Sequence, residues 1–479
     1  MSISGAMSAA LSGLRAAAQG SELVSNNIAN ALTPSYAQRS LATTTQANGL
    51  NGVRILGINR NVDAGLLADL RLAEAGQGNA QAPVDFLKKV EDLVGLAGDP
   101  DGLGGRLASF EAGLISAASR PDAVERLMGT VSDAAAVVRG ITNASAAIQD
   151  ARGDADRTIA DQVEKLNTSL AQVQKLNGMI RGGISRDSGT AALEDQRQQV
   201  LSEISQIVPI RVMQRDFGDI AIYSEGGAVL LDITAAEIGF DRSPIVTAYQ
   251  TIDTGTLSGL TLNDQPLRLS ALGGGSLEAQ FTVRDELGVT AQTQLDAFAR
   301  DLVERFQDPG VDPTLGVGDA GLFTDSGAAF DPADEVGLAT RLTLNAAVDP
   351  SQGGEVWRLR DGIGAASPGA VGDGSLLDAL QTALTDPRIP ASGNFGVSAR
   401  GSLDLMSQFS GLLAADRASA EQTLSFASSR LSAVTEQQLA QGVDTDQELQ
   451  NLLILEKAYA ANARVIQAAD DMLETLVRL

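Results

Sequence analysis

The sequence predicts an α+β protein, predominantly α, with terminal helices forming a coiled coil, a long helical-bundle body and small β-rich inserted domains. Three observations carry this expectation. Near the carboxyl end, Leu452, Leu455, Tyr459, Asn462, Ile466, Ala469, Leu473 and Leu476 follow one another at alternating spacings of 3 and 4, the a/d seam of a coiled-coil helix. Between Pro121 and Pro209 lie 87 residues without proline, and apolar residues keep helical spacing through most of them. After Pro209 the apolar period changes to two, the mark of strands.

Composition bounds the function. At about 150 residues per domain, 479 residues make roughly three domains. The formal charge of −25, from 35 basic and 60 acidic side chains, argues against nucleic acid and anionic membrane surfaces as partners. There is no cysteine and no histidine, which removes disulfides, thiolate and imidazole metal sites, and Ser-His or Cys-His nucleophile pairs. No cofactor is expected. Aromatic residues make up only 4%, a mix suited to long helices with thin cores. No window approaches the roughly 18 apolar residues of a membrane span. The amino end lacks a charged region followed by an apolar one, so no cleaved secretory signal is expected.

In chain order, residues 1–61 read as an amino-terminal helix and a following loop. Ile3, Met7, Leu11, Leu14 and Ala18 form a narrow helical stripe, and Thr33-Pro34 stops the helix because the residue before proline leaves the α region. Residues 41–61 are rich in Thr, Asn and Gly and predict loop with a little extended chain. Residues 62–208 form the helical body. A helix over 62–75, with Leu66, Leu67, Leu70 and Ala73 on one side, gives way to a Gly-rich interruption. Two stripes follow, Leu127 to Ile148 and Ile159 to Ile180; if continuous, they make a rod of about 80 Å, which Gly140 and Gly153 can bend or break.

Residues 209–285 are predicted β-rich. Ile220 and Ile222 pair across Gly226-Gly227 with Val229, Leu231 and Ile233, and Leu267-Leu269 with Phe281-Val283 extend the sheet. Residues 286–309 return to the helical body. Residues 310–395, rich in Gly, Asp and Pro, form a small inserted domain, 396–442 a returning body helix, and 443–479 the terminal helix. That helix opens on Thr445 and Glu448 at capping-box spacing. Asn462, a polar residue within the seam, is placed to fix pairing register.

Two motifs invite chemistry and do not support it. Gly316, Gly318 and Gly321 have the letters of a dinucleotide fingerprint but follow Asp312-Pro313 and lack the strand before them. Counted from Asp99, a calcium loop would have glycine at its sixth place, as Gly104 is, but also a bidentate carboxylate at its twelfth, which is Phe110. Catalytic, cofactor and metal sites are therefore not expected.

The segment Ser25-Asn26-Asn27-Ile28-Ala29-Asn30-Ala31-Leu32-Thr33-Pro34-Ser35-Tyr36 resembles the amino-terminal signature of the bacterial flagellar axial proteins: rod, hook and hook-associated. Residues Ala458 to Met472 resemble the family's paired carboxyl-terminal motif. Ser35 stands where the family usually has glycine. The long helical interior, with Leu176-Asn177 and Glu194-Asp195-Gln196-Arg197 through Ile204, is similar to the hook-associated branch. So are residues 276–306.

The resemblance implies a structural, non-enzymatic component of the bacterial flagellum, joining hook to filament and needed for filament assembly. It implies export through the flagellar type III apparatus without cleavage, an extracellular location, and an export chaperone bound at the carboxyl end. It further implies self-association into a ring of about eleven subunits, a closed cyclic assembly, with the hook protein on one side and a second junction protein toward the filament. The axial subunit interface falls to Met7, Leu11, Leu14, Asn26, Asn27, Ile28 and Asn30 in front and to Leu452, Leu455, Tyr459, Asn462, Ile466, Ala469, Leu473 and Leu476 behind. A flagellar hook or rod protein is the alternative, and a flagellar scaffold whose residues 310–395 form an enzymatic insert is a more distant one.

Overall fold

A computed structural model describes residues 3–33, 36–45, 52–96, 98–186 and 189–478, with the side chains at 476 and 477 left aside. The helix stop at Pro34, the departure at Ser35 and the seam position of Leu476 lie outside the described residues. In order, the elements are α1 (Ile3–Ala29), β1 (Arg39–Thr45), β2 (Val53–Arg60), α2 (Ala64–Val94), α3 (Leu103–Ser119), α4 (Val124–Ser185), α5 (Ala191–Ile207), β3 (Ile210–Gln214), β4 (Ile220–Ser224), β5 (Val229–Leu231), β6 (Ile238–Gly239), β7 (Leu260–Leu262) and β8 (Gln265–Leu267). There follow α6 (Gly275–Phe281), α7 (Gly288–Phe306), β9 (Phe323–Asp325), α8 (Leu338–Arg341), β10 (Leu342–Leu344), α9 (Arg358–Asp361), α10 (Ser375–Thr385), α11 (Ser402–Ala440) and α12 (Thr445–Arg478). The class is α+β, mostly α.

Helix α4 is the axis. It runs unbroken for 62 residues, about 90 Å at 1.5 Å per residue, and both stripes read from the sequence are buried along it. Gly140 and Gly153, the two places where it could have broken, lie within it. A Cβ at Gly140 would lie 2.5 Å from Leu103 Cδ2, so this glycine permits the close crossing of α3 over α4. The amino-terminal half of α4 packs with α2, α3, α7, α10 and the start of α11 around Leu107, Phe110, Ile141, Leu295 and Phe306. Its carboxyl-terminal half packs with α5, α6 and the strands β3 to β8 around Leu166, Leu170, Ile204, Ile222 and Leu277.

A buried polar layer separates the two cores. Arg284 Nη1 donates to Asp156 Oδ1 at 2.6 Å, and Arg152 donates to the carbonyls of Arg284, Thr247 and Gln250 at 2.7, 3.0 and 2.6 Å. Burial lowers the Arg152 guanidinium to about 10. A π-helical turn, Thr282–Leu287, lies in this layer and joins α6 to α7. Phe281-Val283 is therefore helical and not a strand: Phe281 ends α6 and Val283 lies in the π-turn, and the two apolar residues enter different cores.

Other expectations change as well. Where loop with a little extended chain was expected, β1 and β2 pair as a two-stranded antiparallel hairpin; only Val53 and Ile55 show a clear alternation along it. Helix α2 passes through Gly76, Gly78 and Pro83 to Val94. At Gly78 a Cβ would come within 3.3 Å of the Gln206 carbonyl, so tertiary packing overrides the poor propensity. β3-β4-β5 and β6-β7-β8 form two separate three-stranded antiparallel sheets. Leu267 ends β8 in the second of these, Leu269 begins a 3₁₀ turn, and Ile233 lies beyond β5, exposed. Residues from Leu322 to Phe395 contribute to the core of α3, α4 and α7, where the rings of Phe110, Phe306 and Phe323 meet at centroid distances of 5.1 to 5.9 Å.

Candidate functional site: the terminal helix pair and its joint to the body

The two ends of the chain meet. Helices α1 and α12 lie antiparallel: a Cβ at Gly13 would fall 2.8 Å from Asn462 Nδ2, and one at Gly20 3.0 Å from Leu455 Cδ2. The face of α1 that meets α12 is Ala10, Gly13, Ala17, Gly20, Val24 and Asn27, all but Gly13 buried. These residues repeat at 3 and 4, and most are so small that the helix axes approach closely.

The front stripe read from the sequence lies beside this face. Met7, Leu11 and Leu14 sit one residue along, about 100° around the helix. Leu11 is 44% exposed, and Met7 and Leu14 are half-buried. On α12, Ala469 is buried, Leu452, Leu455, Asn462 and Ile466 are half-buried, and Tyr459 and Leu473 are exposed at 44% and 39%. The Asn462 carboxamide donates to the Ala458 carbonyl of its own helix at 2.9 Å. A further stripe, Ile454, Ala458, Ala461, Val465, Ala468 and Met472, runs one residue to the other side. Ile454 and Met472 in it are 65% and 50% exposed.

Below the pair is a polar joint. Asn27, buried at the end of α1, donates through Nδ2 to the Arg39 carbonyl at 2.9 Å. Its Oδ1 accepts from the Arg39 N–H at 3.0 Å and from the Tyr36 hydroxyl at 2.8 Å. One carboxamide thus fixes the entry of β1. Asn30 Nδ2 donates to the Asn26 carbonyl at 2.9 Å, closing the helix end, while Asn26 is exposed and Ile28 half-buried. The Arg39 guanidinium lies 5.0 Å over the Tyr36 ring. Burial raises the Tyr36 phenol above its ordinary value, against the opposing charge of Arg39. From α12, the buried Glu448 accepts from Gln38 Nε2 at 2.6 Å.

Glu448 is therefore not the partner of a capping box. Asp444 caps α12 instead, its Oδ1 accepting from the Asp446 and Gln447 N–H groups at 3.0 and 3.1 Å.

From the body, Asp195 of α5 binds two of the three hairpin arginines, Arg39 and Arg60. Its Oδ1 accepts from Arg60 Nε at 2.6 Å and its Oδ2 from Arg39 Nη2. Next to it, Arg197 donates to Asn177 Oδ1 at 2.8 Å and to the Gly218 carbonyl at 2.7 Å, and Asn177 Nδ2 donates to the Ile220 carbonyl at 2.9 Å. The two interior segments quoted for the resemblance, around Asn177 and Asp195, thus touch each other. Arg71, lowered to about 10 by burial, donates to Gln198 at 2.7 Å. Periodicity could not reveal this joint, whose partners are up to 410 residues apart; the only sequence sign was that Asn27, Tyr36 and Asp195 fall inside quoted segments.

The glycine motif at 316–321 is a turn packed on α7, where a Cβ at Gly321 would lie 2.1 Å from the Phe306 carbonyl. Asp99 closes a turn by accepting from the Asp101 N–H at 3.0 Å. Among the described residues, no three acidic side chains gather as a metal site, and no helix is long and apolar enough to cross a membrane.

Comparison with known proteins bears on this architecture. Residues 87–312 match the family described as the flagellar hook-associated protein FlgK helical domain, and residues 440–479 match the flagellar basal body rod FlgEFG protein C-terminal family. Flagellar hook-associated protein 1 of Escherichia coli K12 is 25% identical over 98% of this chain and 98% of its own length. The protein of the same name from Bacillus subtilis 168 is 22% identical over 94% of this chain and 93% of its own. A solved structure, the flagellar hook junction protein FlgK from Burkholderia pseudomallei, is 20% identical and covers 54% of this chain and 46% of that one, with a TM-score of 0.43.

Proposed function

We propose, from the premise that this chain belongs to the flagellar hook-associated protein 1 family, that it is a structural component of the bacterial flagellum at the junction of hook and filament. The observation that carries the mechanism is the α1/α12 pair with one apolar stripe left open on each helix. Because the helices are antiparallel and the open stripes are displaced by +1 on α1 and −1 on α12, the two stripes face opposite sides of the pair. The Met7, Leu11, Leu14 stripe of one copy can then meet the Ile454, Val465, Met472 stripe of the next. Such a contact is heterologous, and where the rotation between copies closes it makes a ring, of about eleven copies in this proposal. Burial of these stripes by neighbours supplies the driving force that the isolated pair lacks.

In this reading Asn26, Ile28, Tyr459 and Leu473 are subunit contacts, the terminal helices form the axial coiled-coil core, and the body domains drawn at 62–442 stand outside it. The hook protein would adjoin one side of the ring and a second junction protein the other. An export chaperone would cover the α12 stripe before assembly, and the chain would leave the cell through the flagellar export apparatus uncleaved, acting without catalysis.

Deletion of the gene, followed by electron microscopy of the cells and blotting of the medium for flagellin, tests this function. Hooks without filaments, with flagellin lost to the medium, are expected. Normal filaments would overturn the junction reading, and absent hooks would replace it with a hook or rod role.

A further inference from the structure

The terminal unit, made of α1, β1, β2 and α12, joins the body through two short stretches of chain. Residues 61–63 lead from β2 into α2, and residues 441–444 lead from α11 into α12. Such crossings allow rotation unless side chains oppose it. Asp63 and Gln441 tie the two crossings to each other by a side-chain hydrogen bond; among the described residues, two ion pairs tie the hairpin to the body, one from each strand, and both end on one carboxylate, that of Asp195.

The surroundings make that carboxylate hard to replace. Its side chain is 17% exposed, between Arg39 and Arg60 at 19% and 14%. Arg60 also repels Arg71 and Arg197, both of which lie on the body. Without the negative charge, hairpin and body would face each other as like charges in a partly desolvated site.

We infer that Asp195 is a positioning latch that locks the terminal unit at one angle to the body, and that this unit swivels about residues 61–63 and 441–444 when the latch opens. Resting on the junction reading above, the latch would let one chain keep its axial pair in the ring while its body adjusts to two different neighbouring lattices.

The chain has no cysteine, so a pair of spin labels can be introduced cleanly, at Glu456→Cys on α12 and Asp69→Cys on α2, both exposed positions. Pulsed electron resonance on the purified full-length chain should give one narrow distance distribution. Asp195→Asn should at least double its width or shift its centre, with the far-ultraviolet circular dichroism unchanged, and Asp195→Glu should restore it. Arg39→Gln, which retains the carboxylate, provides the same reading if Asp195→Asn does not fold. A distribution as narrow in a folded variant as in the parent, or one already broad in the parent, would overturn the latch. Neither result touches the junction reading, which is decided by filament assembly.

Discussion

Asn27 makes three hydrogen bonds with one side chain, donating once and accepting twice. Replacing it with alanine leaves the Arg39 N–H and carbonyl and the Tyr36 hydroxyl without these partners in a half-buried joint, at about 1–3 kcal/mol for each group left unsatisfied. Asn27→Ala should therefore speed amide hydrogen exchange through residues 36–45, whereas Asn27→Asp, which can still accept, should do so less. A second residue sets a pH dependence. Asp296 accepts from the Gly337 and Ala339 N–H groups and from Gln292 at 2.8 to 2.9 Å, but burial outweighs these donors and raises its carboxyl to about 6 from 3.8. Between those values the folded chain binds the proton and the unfolded chain does not, so this group's contribution to stability falls as pH rises through that window. The melting temperature of the parent relative to Asp296→Asn should be higher at pH 5 than at pH 7. A difference independent of pH would show that the carboxyl is not protonated in the fold.

At the scale of elements, the pairing of α1 and α12 depends on absent side chains. With Leu455 Cδ2 only 3.0 Å from where a Cβ would stand, Gly20→Leu should force the helices apart, at about 1–3 kcal/mol for overpacking. It should raise exchange across residues 3–29. Leu11→Asp, on the open stripe, should leave that exchange unchanged and yet release flagellin into the medium. If Leu11→Asp cells build normal filaments, the open stripe of α1 is not a subunit contact. The same contrast explains what could be read from the sequence. Both α4 stripes were legible because large apolar residues repeat there at helical spacing and are buried. On α1 the large residues Met7, Leu11 and Leu14 drew attention to the open stripe, whereas α12 packs on the neighbouring strip of small residues, at Gly13 and Gly20. Between β1 and β2 only Val53 and Ile55 alternate, too short a run to announce a hairpin, and the Gly-rich stretch at 76–78 looked like an end of α2 because the packing partner of Gly78, Gln206, is remote in sequence. The joint at Asp195 was illegible for a related reason: ion pairs between Asp195 and arginines 135 and 156 residues away leave no periodic trace.

For the whole molecule, α4 carries two apolar cores on one continuous helix, and Arg284 with Asp156 lies where they meet. This pair is almost fully buried, at 0% and 1% exposure. A buried ion pair contributes little net stability against an apolar replacement, yet losing one partner leaves a buried charge at about 3–5 kcal/mol. Among the described residues, Arg284→Met would leave Asp156 with the Ser243 N–H, at 2.8 Å, and would also release the Asp285 carboxylate and the Ser258 carbonyl, each held by Arg284 at 2.9 Å. The lobe of α5, α6 and β3–β8 rests on that layer through the 241–258 segment, so it should loosen first. Scanning calorimetry should therefore show one transition for the parent and, for Arg284→Met, a lower one that separates from the melting of the larger core. In Arg284→Met with Asp156→Leu the most deeply buried stranded charge is gone, Asp285 alone having lost its arginine, and part of the lost stability should return, with the two cores melting together again. A double variant no more stable than the single one would mean that the layer couples the lobes by the hydrogen bonds of Arg284 to loop carbonyls, and not by the balance of charge on α4.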